Sequence, residues 1–423
     1  MNRRLITGFI GMLFFVMVAI PVLASDTIKI AFIDPLSGAF AGVGDSGYKH
    51  FLYNAELINA EGGVLGGKKF EIVPFDNKIS AEESLIQLKN AIGQGIQIVV
   101  QGNGSSVAAA LIDALEKHNK RNPDHPVIYL NYGAITPEFT NEKCSFWHFR
   151  FDAHVDMKIA AITDYIKENK NIKKVYLINQ DYVFGHAVSE TAKTMLAAKR
   201  PDIEIVGDTF IPLGKVKDFS PYIAKIQTSG ADTIITGNWG ADMALLVKAG
   251  KNAGLDAKYF TFYGNGLGAP RAIADAGVDK LITVVEWHNN LSVEEGKPED
   301  EKFYVNYQKK YSDNGEMPYY YGRVGTTMRM LAAAIQKAGS DDPKAIAFAL
   351  EGLEYETPYG KVWMRAEDHQ LIQPLYLAIY AKAGQGTVKY DSENTGIGVK
   401  TIKRIEGEAT AMPTTCQMKR PKK

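Results

Sequence analysis

The sequence predicts an α/β protein with two parallel sheets in two lobes, and three observations support this fold class. Short apolar runs typical of buried strands alternate with amphipathic helices from Ile28 onward, which is the pattern of a parallel α/β sheet. The alternation forms two units of similar size, the second beginning near residue 154, and a shorter return segment follows. A chain of 423 residues is also longer than one ordinary hydrophobic core requires.

The first unit begins with a strand at 28–33. A glycine-rich loop is predicted at 35–44, after which Asp45 caps a helix that runs to about Ala60 and ends at Gly62 and Gly63. The pattern then predicts a strand at 70–75, a helix at 81–92, and strands at 96–100, 127–131 and 146–149.

The second unit contains four helices and five strands. The helices are predicted at 154–169, 187–199, 218–229 and 241–253, and the strands at 174–179, 203–210, 233–236, 259–262 and 281–285. A polar connector at 289–300 leads to three more helices, at 300–312, 320–338 and 343–351. Strands return after Gly360, the clearest at 375–381.

The first 24 residues predict a cleavable signal peptide. Arg3 and Arg4 precede an apolar run at 5–18, and a small residue, Ala24, precedes the expected cleavage point. No later apolar run approaches the roughly 20 residues that a membrane span needs. Loss of Arg3 and Arg4 from the 48 basic residues leaves 46 against 48 acidic ones. We therefore expect an exported protein with no affinity for nucleic acid.

The chain has two cysteines, Cys144 and Cys416, and both belong to the exported part. An even number of cysteines in an oxidising compartment favours one disulfide. Two buried free thiols are the alternative.

Residues that follow the predicted strands are the candidates for ligand binding, because ligands of open parallel sheets bind beyond the carboxyl ends of the strands. The loop at 102–106 is the most informative, since it joins a strand to a helix whose unpaired N–H groups can hold a small anion. The whole set is rich in amides and aromatic rings and poor in charge, as small-molecule pockets are. The candidates are Asn103, Ser105, Gly133, Asp181, Tyr182, Phe184, Trp239 and Asn265, together with Tyr320 at the start of the predicted helix 320–338.

Catalytic and metal-binding patterns do not emerge from the sequence. Ser105 is not within a G-x-S-x-G turn, and the histidines show neither H-E-x-x-H nor Cys/His ligand spacing. The glycines at 264–268 do not complete G-x-G-x-x-G. We therefore expect a binding protein rather than an enzyme, without a cofactor or a metal.

Taken in order, these segments resemble the type I periplasmic binding proteins of the branched-chain amino-acid (Leu/Ile/Val) ABC-transporter family. The resemblance covers essentially the whole exported chain and implies two Rossmann-like lobes, joined by a three-strand hinge, that close on a ligand. The implied lobes are residues 25–148 plus 287–367 and residues 149–286 plus 368–423. The motifs that carry the resemblance are Asn59–Val64, Phe75-Asp76, Gly104-Ser105-Ser106, Gly133–Glu138, Tyr182–Gly185 and Lys217–Ser220.

The resemblance also implies roles for individual residues. Ser105 and the backbone of Gly133 and Ile135 would hold the α-carboxylate of an amino acid, and Phe184 and Trp239 would form aromatic walls. Asn265 stands where the family has the glutamate that pairs with the ligand ammonium, and Asp181 is the alternative partner for that cation.

The resemblance further implies a monomeric periplasmic protein that delivers a small-molecule ligand to a membrane ABC permease. The expected ligand is an amino acid of the branched-chain type. Because an amide cannot neutralise a cation, an aromatic or aliphatic acid or a neutral amide is an open alternative. A ligand sensor that reports to a signalling partner is a further alternative.

Overall fold

The computed structural model describes residues 27–266, 268–276, 279–312 and 318–422. The predicted signal peptide at 1–24 lies outside the described residues. In the described part of the chain, no helix combines the length and the apolar character needed to cross a membrane.

The first part of the chain forms five strands and three long helices. The strands are β1 (Thr27–Asp34), β2 (Lys69–Asp76), β3 (Ile98–Gln101), β4 (Ile128–Asn131) and β5 (His148–Arg150), and the helices are α1 (Ala41–Ala60), α2 (Ala81–Gly93) and α3 (Ser105–Arg121). Short 3-10 helices occur at Gly38–Phe40 and Pro137–Thr140.

The prediction of a loop over the whole of 35–44 is wrong, because α1 begins at Ala41 rather than after Asp45. The reason is packing. A side chain at Gly44 would place its Cβ 1.7 Å from the carbonyl oxygen of Pro35. Gly44 therefore lets the first turn of α1 lie against the end of β1, and its presence does not mark a loop.

The middle of the chain forms the second unit. Its strands are β6 (Lys174–Gln180), β7 (Glu204–Ile211), β8 (Thr233–Thr236), β9 (Lys258–Thr261) and β10 (Leu281–Val285), and its helices are α4 (Val155–Glu168), α5 (Val183–Lys199), α6 (Ser220–Ser229), α7 (Ala241–Asn252) and α8 (Ala269–Ala276).

The return segment contributes further helices and the last strands. In chain order these are α9 (Leu291–Glu294), α10 (Pro298–Tyr311), α11 (Tyr321–Ala338), α12 (Pro343–Leu350), β11 (Glu354–Thr357), β12 (Gly360–Met364), β13 (Leu371–Ile372), β14 (Leu375–Lys382), β15 (Ile397–Ile405) and α13 (Gly407–Thr410). The predicted polar connector at 289–300 thus includes α9 and the first turn of α10.

The strands assemble into two large sheets and one small one. The first sheet has the order β2-β1-β3-β4-β5 and is parallel throughout. The second has the order β15-β14-β10-β9-β8-β6-β7, in which β14 and β15 are antiparallel to their neighbours. Strands β11, β12 and β13 form the small antiparallel sheet. The predicted two-lobe α/β fold is confirmed.

The chain passes between the two large sheets three times: after β5, after β10, and between β13 and β14. Hydrogen bonds tie the first and third crossings together. The Arg150 N–H donates to the His369 carbonyl at 2.9 Å, and the Gln373 side chain donates to the Phe151 carbonyl at 3.0 Å. These crossings form the hinge beneath the space between the sheets.

The C-terminal tail is fastened by the disulfide Cys144–Cys416, so the predicted pairing is confirmed and the alternative of two free thiols is excluded. The Thr414 hydroxyl donates to the Thr140 carbonyl at 2.7 Å, and Arg420 donates to Glu351 at 2.6 Å. The implied boundaries group this tail with the second sheet, whereas its contacts attach it to residues grouped with the first.

Candidate functional site

A cavity of about 550 Å³ lies between the two large sheets, at the carboxyl ends of their strands. We call it the cleft. It is lined by Val43, Gly102, Asn103, Gly104, Ser105, Gly133, Ala134, Ile135, Tyr182, Phe184, Trp239, Gly240, Tyr263, Gly266, Tyr319, Tyr320 and Arg323.

The N-terminus of α3 points at the cleft. Gly104 precedes the helix with a φ of +92°, a conformation that favours glycine, and Ser105 is the first helical residue. The first hydrogen bond of this helix runs from the Ala108 N–H to the Gly104 carbonyl. The preceding N–H groups, together with the Ser105 hydroxyl, therefore remain available to an anion.

A buried carboxylate holds the loop that leads into α3. The Asp34 side chain is fully buried and accepts from the N–H groups of Gly102 and Asn103, each at 3.0 Å, and from the Tyr132 hydroxyl. Burial raises the pKa of Asp34 to about 7, against the lowering effect of these hydrogen bonds. Gly102 must be small, because a Cβ there would lie 2.7 Å from the Tyr132 ring. The contacts with Asp34 and Tyr132 thus fix the loop that carries Ser105.

The loop after β4 offers one N–H group to the cleft. The Asn131 side-chain oxygen accepts from the N–H groups of Gly133 at 3.1 Å and of Ala134 at 2.8 Å. The Ile135 N–H has no internal acceptor among the described residues. This geometry favours Ile135 over Gly133 as the backbone donor to a ligand.

Aromatic side chains from the second lobe form the facing wall. The Trp239 indole N–H donates to the Tyr182 hydroxyl at 2.8 Å. Phe184 continues the wall, with ring centroids 5.7 Å from Tyr182 and 6.1 Å from Tyr263. These fixed rings present an apolar surface suited to the body of a ligand.

Phe40 connects the two lobes at the rim of the cleft. Its ring lies 4.5 Å from the ring of Trp239, centroid to centroid. A Cβ at Gly214 or Gly240 would meet the Phe40 ring at 2.7 or 3.2 Å, and both glycines have positive φ. The Phe40 ring of the first lobe therefore packs into a space that Gly214 and Gly240 of the second lobe leave open. This contact between the lobes exists only when they are together.

The floor of the cleft comes from α11 and the residues just before it. The Tyr320 hydroxyl donates to the Asn103 side-chain oxygen at 2.6 Å, while the Asn103 amide donates to the Tyr132 hydroxyl at 3.2 Å. Tyr319 packs edge-on against Tyr320, with centroids 4.8 Å apart. Asn103 thus serves to join the α3 loop to the floor.

Arg323 is the charged side chain of the floor, and it belongs to a buried cluster of four charges at the hinge. Arg323 Nε and Nη2 contact the two oxygens of Glu286 at 2.5 and 3.0 Å, and Nη1 contacts Asp152 at 2.7 Å. Lys158 Nζ contacts the other oxygen of Asp152 at 2.9 Å. We call these four residues the hinge charge cluster; its formal charge is zero.

The electrostatics of the hinge charge cluster keep Arg323 and Glu286 ionised, whereas at Asp152 burial outweighs the two neighbouring cations and raises the pKa. Burial acts against the charge of Arg323, but Asp152 and Glu286 outweigh it and raise its pKa well above the usual value. Burial also opposes the charge of Glu286, yet Arg323 and Lys158 hold its pKa below the usual range. Arg323 therefore stays a cation at the floor of the cleft.

The structure brings together eight of the ten residues predicted from the sequence and separates two. Asp181 does not line the cleft: its side chain is 58% exposed and bonds to His186 at 2.9 Å. Asn265 is buried next to Gly266 but is not part of the lining. The eight that line the cleft are Asn103, Ser105, Gly133, Ile135, Tyr182, Phe184, Trp239 and Tyr320.

Arg323 and Tyr319 also line the cleft but are not among the residues predicted from the sequence, because all of those except Tyr320 follow predicted strands. A signal was present. Arg323 precedes Thr327 and Leu331 by four and eight positions on the buried face of α11, where a charge needs a partner.

No cluster of three or more potential metal ligands occurs within the described ranges. Among the residues that the structure describes, those that line the cleft contribute hydroxyls, N–H groups, aromatic rings and one guanidinium. This arrangement binds and orients a ligand, and it contains no paired nucleophile and base.

Comparisons with known proteins agree with this geometry. The sequence profile of a family described as "Periplasmic binding protein" matches residues 27–385. Leu/Ile/Val-binding protein homolog 4 of Brucella melitensis is 32% identical over 405 residues, which is 94% of each chain.

Solved structures show the same architecture. The leucine-, isoleucine-, valine-, threonine-, and alanine-binding protein from Brucella ovis, in a closed conformation, matches with a TM-score of 0.81 and 32% identity, over 93% of this chain and 100% of that one. An ABC-transporter solute-binding protein from R. palustris in complex with 4-hydroxybenzoate shares the fold, with a TM-score of 0.74 and 22% identity, over 90% of this chain and 98% of that one. The chain therefore belongs to the periplasmic binding protein family, a family of binding proteins rather than enzymes.

Proposed function

We propose that this protein is the extracytoplasmic solute-binding component of an ABC transporter and that its cleft captures a small carboxylate. In this proposal, residues 1–24 direct export to the periplasm, and the ligand-bound protein, a monomer, delivers the ligand to a membrane permease. The family membership and the names of the related proteins support this role.

One observation carries the ligand class: no Asp or Glu is among the described residues that line the cleft, and the charge of Arg323, which does line it, is balanced by Asp152 and Glu286 behind it. The anion-binding elements, Ser105 at the start of α3 and the Ile135 N–H, face the same space. Together they provide donors for a carboxylate, while nothing in the lining neutralises an ammonium.

The walls favour a carboxylate with an aromatic or branched apolar body. Five aromatic side chains other than Tyr320 surround the cavity and leave little polar surface for a hydrophilic ligand. The R. palustris protein shows that this fold accommodates an aromatic acid. The surrounding aromatic residues are Tyr182, Phe184, Trp239, Tyr263 and Tyr319.

A branched-chain amino acid is the second candidate, and the names of the Brucella relatives at 32% identity favour it. Its ammonium would have to be held by hydroxyl or carbonyl oxygens, because Asn265 is an amide and Asp181 lies outside the cleft. An ammonium in a buried site without a carboxylate carries a large desolvation penalty.

Isothermal titration with matched ligands distinguishes the two candidates. Leucine, 4-methylpentanoate and 4-methylpentanamide share one apolar body and differ in the ammonium and the carboxylate; benzoate and benzamide form an aromatic pair. We expect the acids to bind, the amides to fail, and 4-methylpentanoate to bind at least as tightly as leucine. Binding of leucine without binding of 4-methylpentanoate or benzoate would establish the amino acid instead.

A further inference from the structure

A second cavity, of about 510 Å³, lies behind the hinge on a different face of α11 from Arg323. We call it the back cavity. It is open to solvent on one side and is bordered by α1, α10, α11, the end of β10, the β11–β12 hairpin and the start of β14. None of the residues assigned to the cleft lines it.

Aromatic rings form one side of the back cavity. The rings of Trp287 and Tyr321 stack with centroids 4.3 Å apart, and the ring of Phe303 meets Tyr321 edge-on at 4.7 Å. Trp287 and Tyr321 are 2% and 6% exposed, so packing fixes their orientation. The faces of such rings attract cations.

A single carboxylate, Asp300, lies among these rings. It accepts from the Tyr321 hydroxyl at 2.6 Å and from the Tyr359 hydroxyl. In the described part of the chain, no Lys, Arg or His forms an ion pair with Asp300. Burial raises its pKa to about 6, so the group is ionised at neutral pH and its charge is uncompensated.

The remaining charges of the back cavity are also predominantly negative. Glu299 and Glu356 lie at its rim, and Glu286 is already paired with Arg323. The one cation of the described lining, Arg329, is paired with Glu61 outside the cavity. The cavity therefore offers a negative potential and aromatic surface, and no cation among the described residues neutralises it.

We propose that the back cavity binds a small organic cation of the quaternary or alkylated ammonium class, with Asp300 as its counter-ion and the rings of Trp287, Tyr321 and Phe303 as its walls. Such a cation has little or no need of a hydrogen-bond acceptor, which suits a carboxylate that already accepts from two hydroxyls. A helix-terminal role for Asp300 at the start of α10 would account for its charge but not for the rings around it.

Choline and 3,3-dimethylbutan-1-ol test the proposal, because they have the same shape and differ in charge. Isothermal titration of the exported chain, above neutral pH and at low salt, should show choline binding with a Kd of about 1 mM or tighter. We expect the neutral alcohol to bind at least about tenfold more weakly. Absence of choline binding, or equal binding of the two compounds, would refute the proposal.

Two variants and a matched control locate the site. Asp300→Asn removes the charge and should weaken choline binding by about tenfold or more. Gly325→Leu should block binding sterically, because a Cβ at Gly325 would meet only the Asn54 side-chain oxygen, at 3.6 Å, and the added side chain would occupy the cavity. Glu301→Gln, one residue further along α10 and outside the lining, should leave binding unchanged. Choline affinity that is unaffected by both Asp300→Asn and Gly325→Leu would overturn the assignment.

Discussion

Replacement of Arg323 by methionine should destabilise the protein far more than loss of an ordinary surface charge. In the native state Arg323 contacts Glu286 at 2.5 and 3.0 Å and Asp152 at 2.7 Å, and all three side chains are buried. Two unit charges about 4 Å apart interact by about 4 kcal/mol at an effective dielectric constant of about 20. Their desolvation offsets much of this gain, but removing the cation leaves Lys158 to balance two carboxylates.

The expected loss of unfolding free energy for Arg323→Met is about 3–5 kcal/mol, the range for breaking a buried ion pair by removing one partner. The double variant Arg323→Met/Glu286→Gln restores charge balance, because Lys158 and Asp152 remain paired at 2.9 Å. The double variant should therefore be more stable than Arg323→Met alone, by about 1–3 kcal/mol.

Urea unfolding of the ligand-free protein, followed by far-UV circular dichroism and by tryptophan fluorescence, measures these differences; coincident transitions establish that the two lobes unfold together. Arg329→Met is the matched control, since Arg329 lies on the same helix and pairs with Glu61 at the surface. The control should change stability by about 1 kcal/mol or less. A double variant less stable than Arg323→Met, or equal stabilities of Arg323→Met and Arg329→Met, would refute the stabilising role assigned to the hinge charge cluster.

Three further predictions concern the cleft and the tail. Ser105→Ala should weaken binding of a carboxylate by about 1–3 kcal/mol in isothermal titration, and unchanged affinity would remove Ser105 from the site. Because the pKa of Asp34 is raised from 3.8 to about 7, the folded state retains its proton as the pH rises between these values. The stability of the wild type relative to Asp34→Asn should therefore fall over this range, and a flat difference in urea midpoints would contradict the assignment. Cys144→Ser/Cys416→Ser should lower the stability by about 2–5 kcal/mol; an equal urea midpoint for the two forms would show that the disulfide does not stabilise the fold.

Most of the architecture could be predicted from the sequence, because buried strands and amphipathic helices have different periods. The strands at 233–236 and 281–285 have the observed bounds, Thr233–Thr236 and Leu281–Val285. In both, the short length of the uninterrupted apolar run and its β-branched residues indicate a buried parallel strand.

Two of the errors lie at helix starts that contain glycine. The predicted helix at 187–199 begins at Val183, and α1 likewise begins before Gly44. A Cβ at Gly185 would lie 1.8 Å from the Gln180 carbonyl oxygen, much as Gly44 approaches Pro35. In both cases glycine permits the first helical turn to pack on the end of the preceding strand. Local propensity alone predicts a turn at such a glycine, and the helix start is therefore predicted too late.

The candidate site was predicted only as far as the topology determines it. Because parallel strands end at one edge of a sheet, the loops that carry Ser105, Ile135, Tyr182 and Trp239 had to converge. Residues whose position depends on the crossings between the lobes, such as Arg323, could not be placed by this rule.

The same distinction explains why our proposal from the assembled cleft names a different ligand from the one that the resemblance implies. The expectation from the resemblance rests on one loop position, Asn265, where the family has a glutamate that pairs with the ligand ammonium. In the structure Arg323 lines the cleft, and its partners Asp152 and Glu286 come just after β5 and β10. Three segments far apart in sequence therefore build a charge-balanced cluster at the floor, and neither of its carboxylates is among the described residues that line the cleft. Our proposal of an acid without an ammonium therefore depends on the assembled hinge and not on the loop position of Asn265 alone.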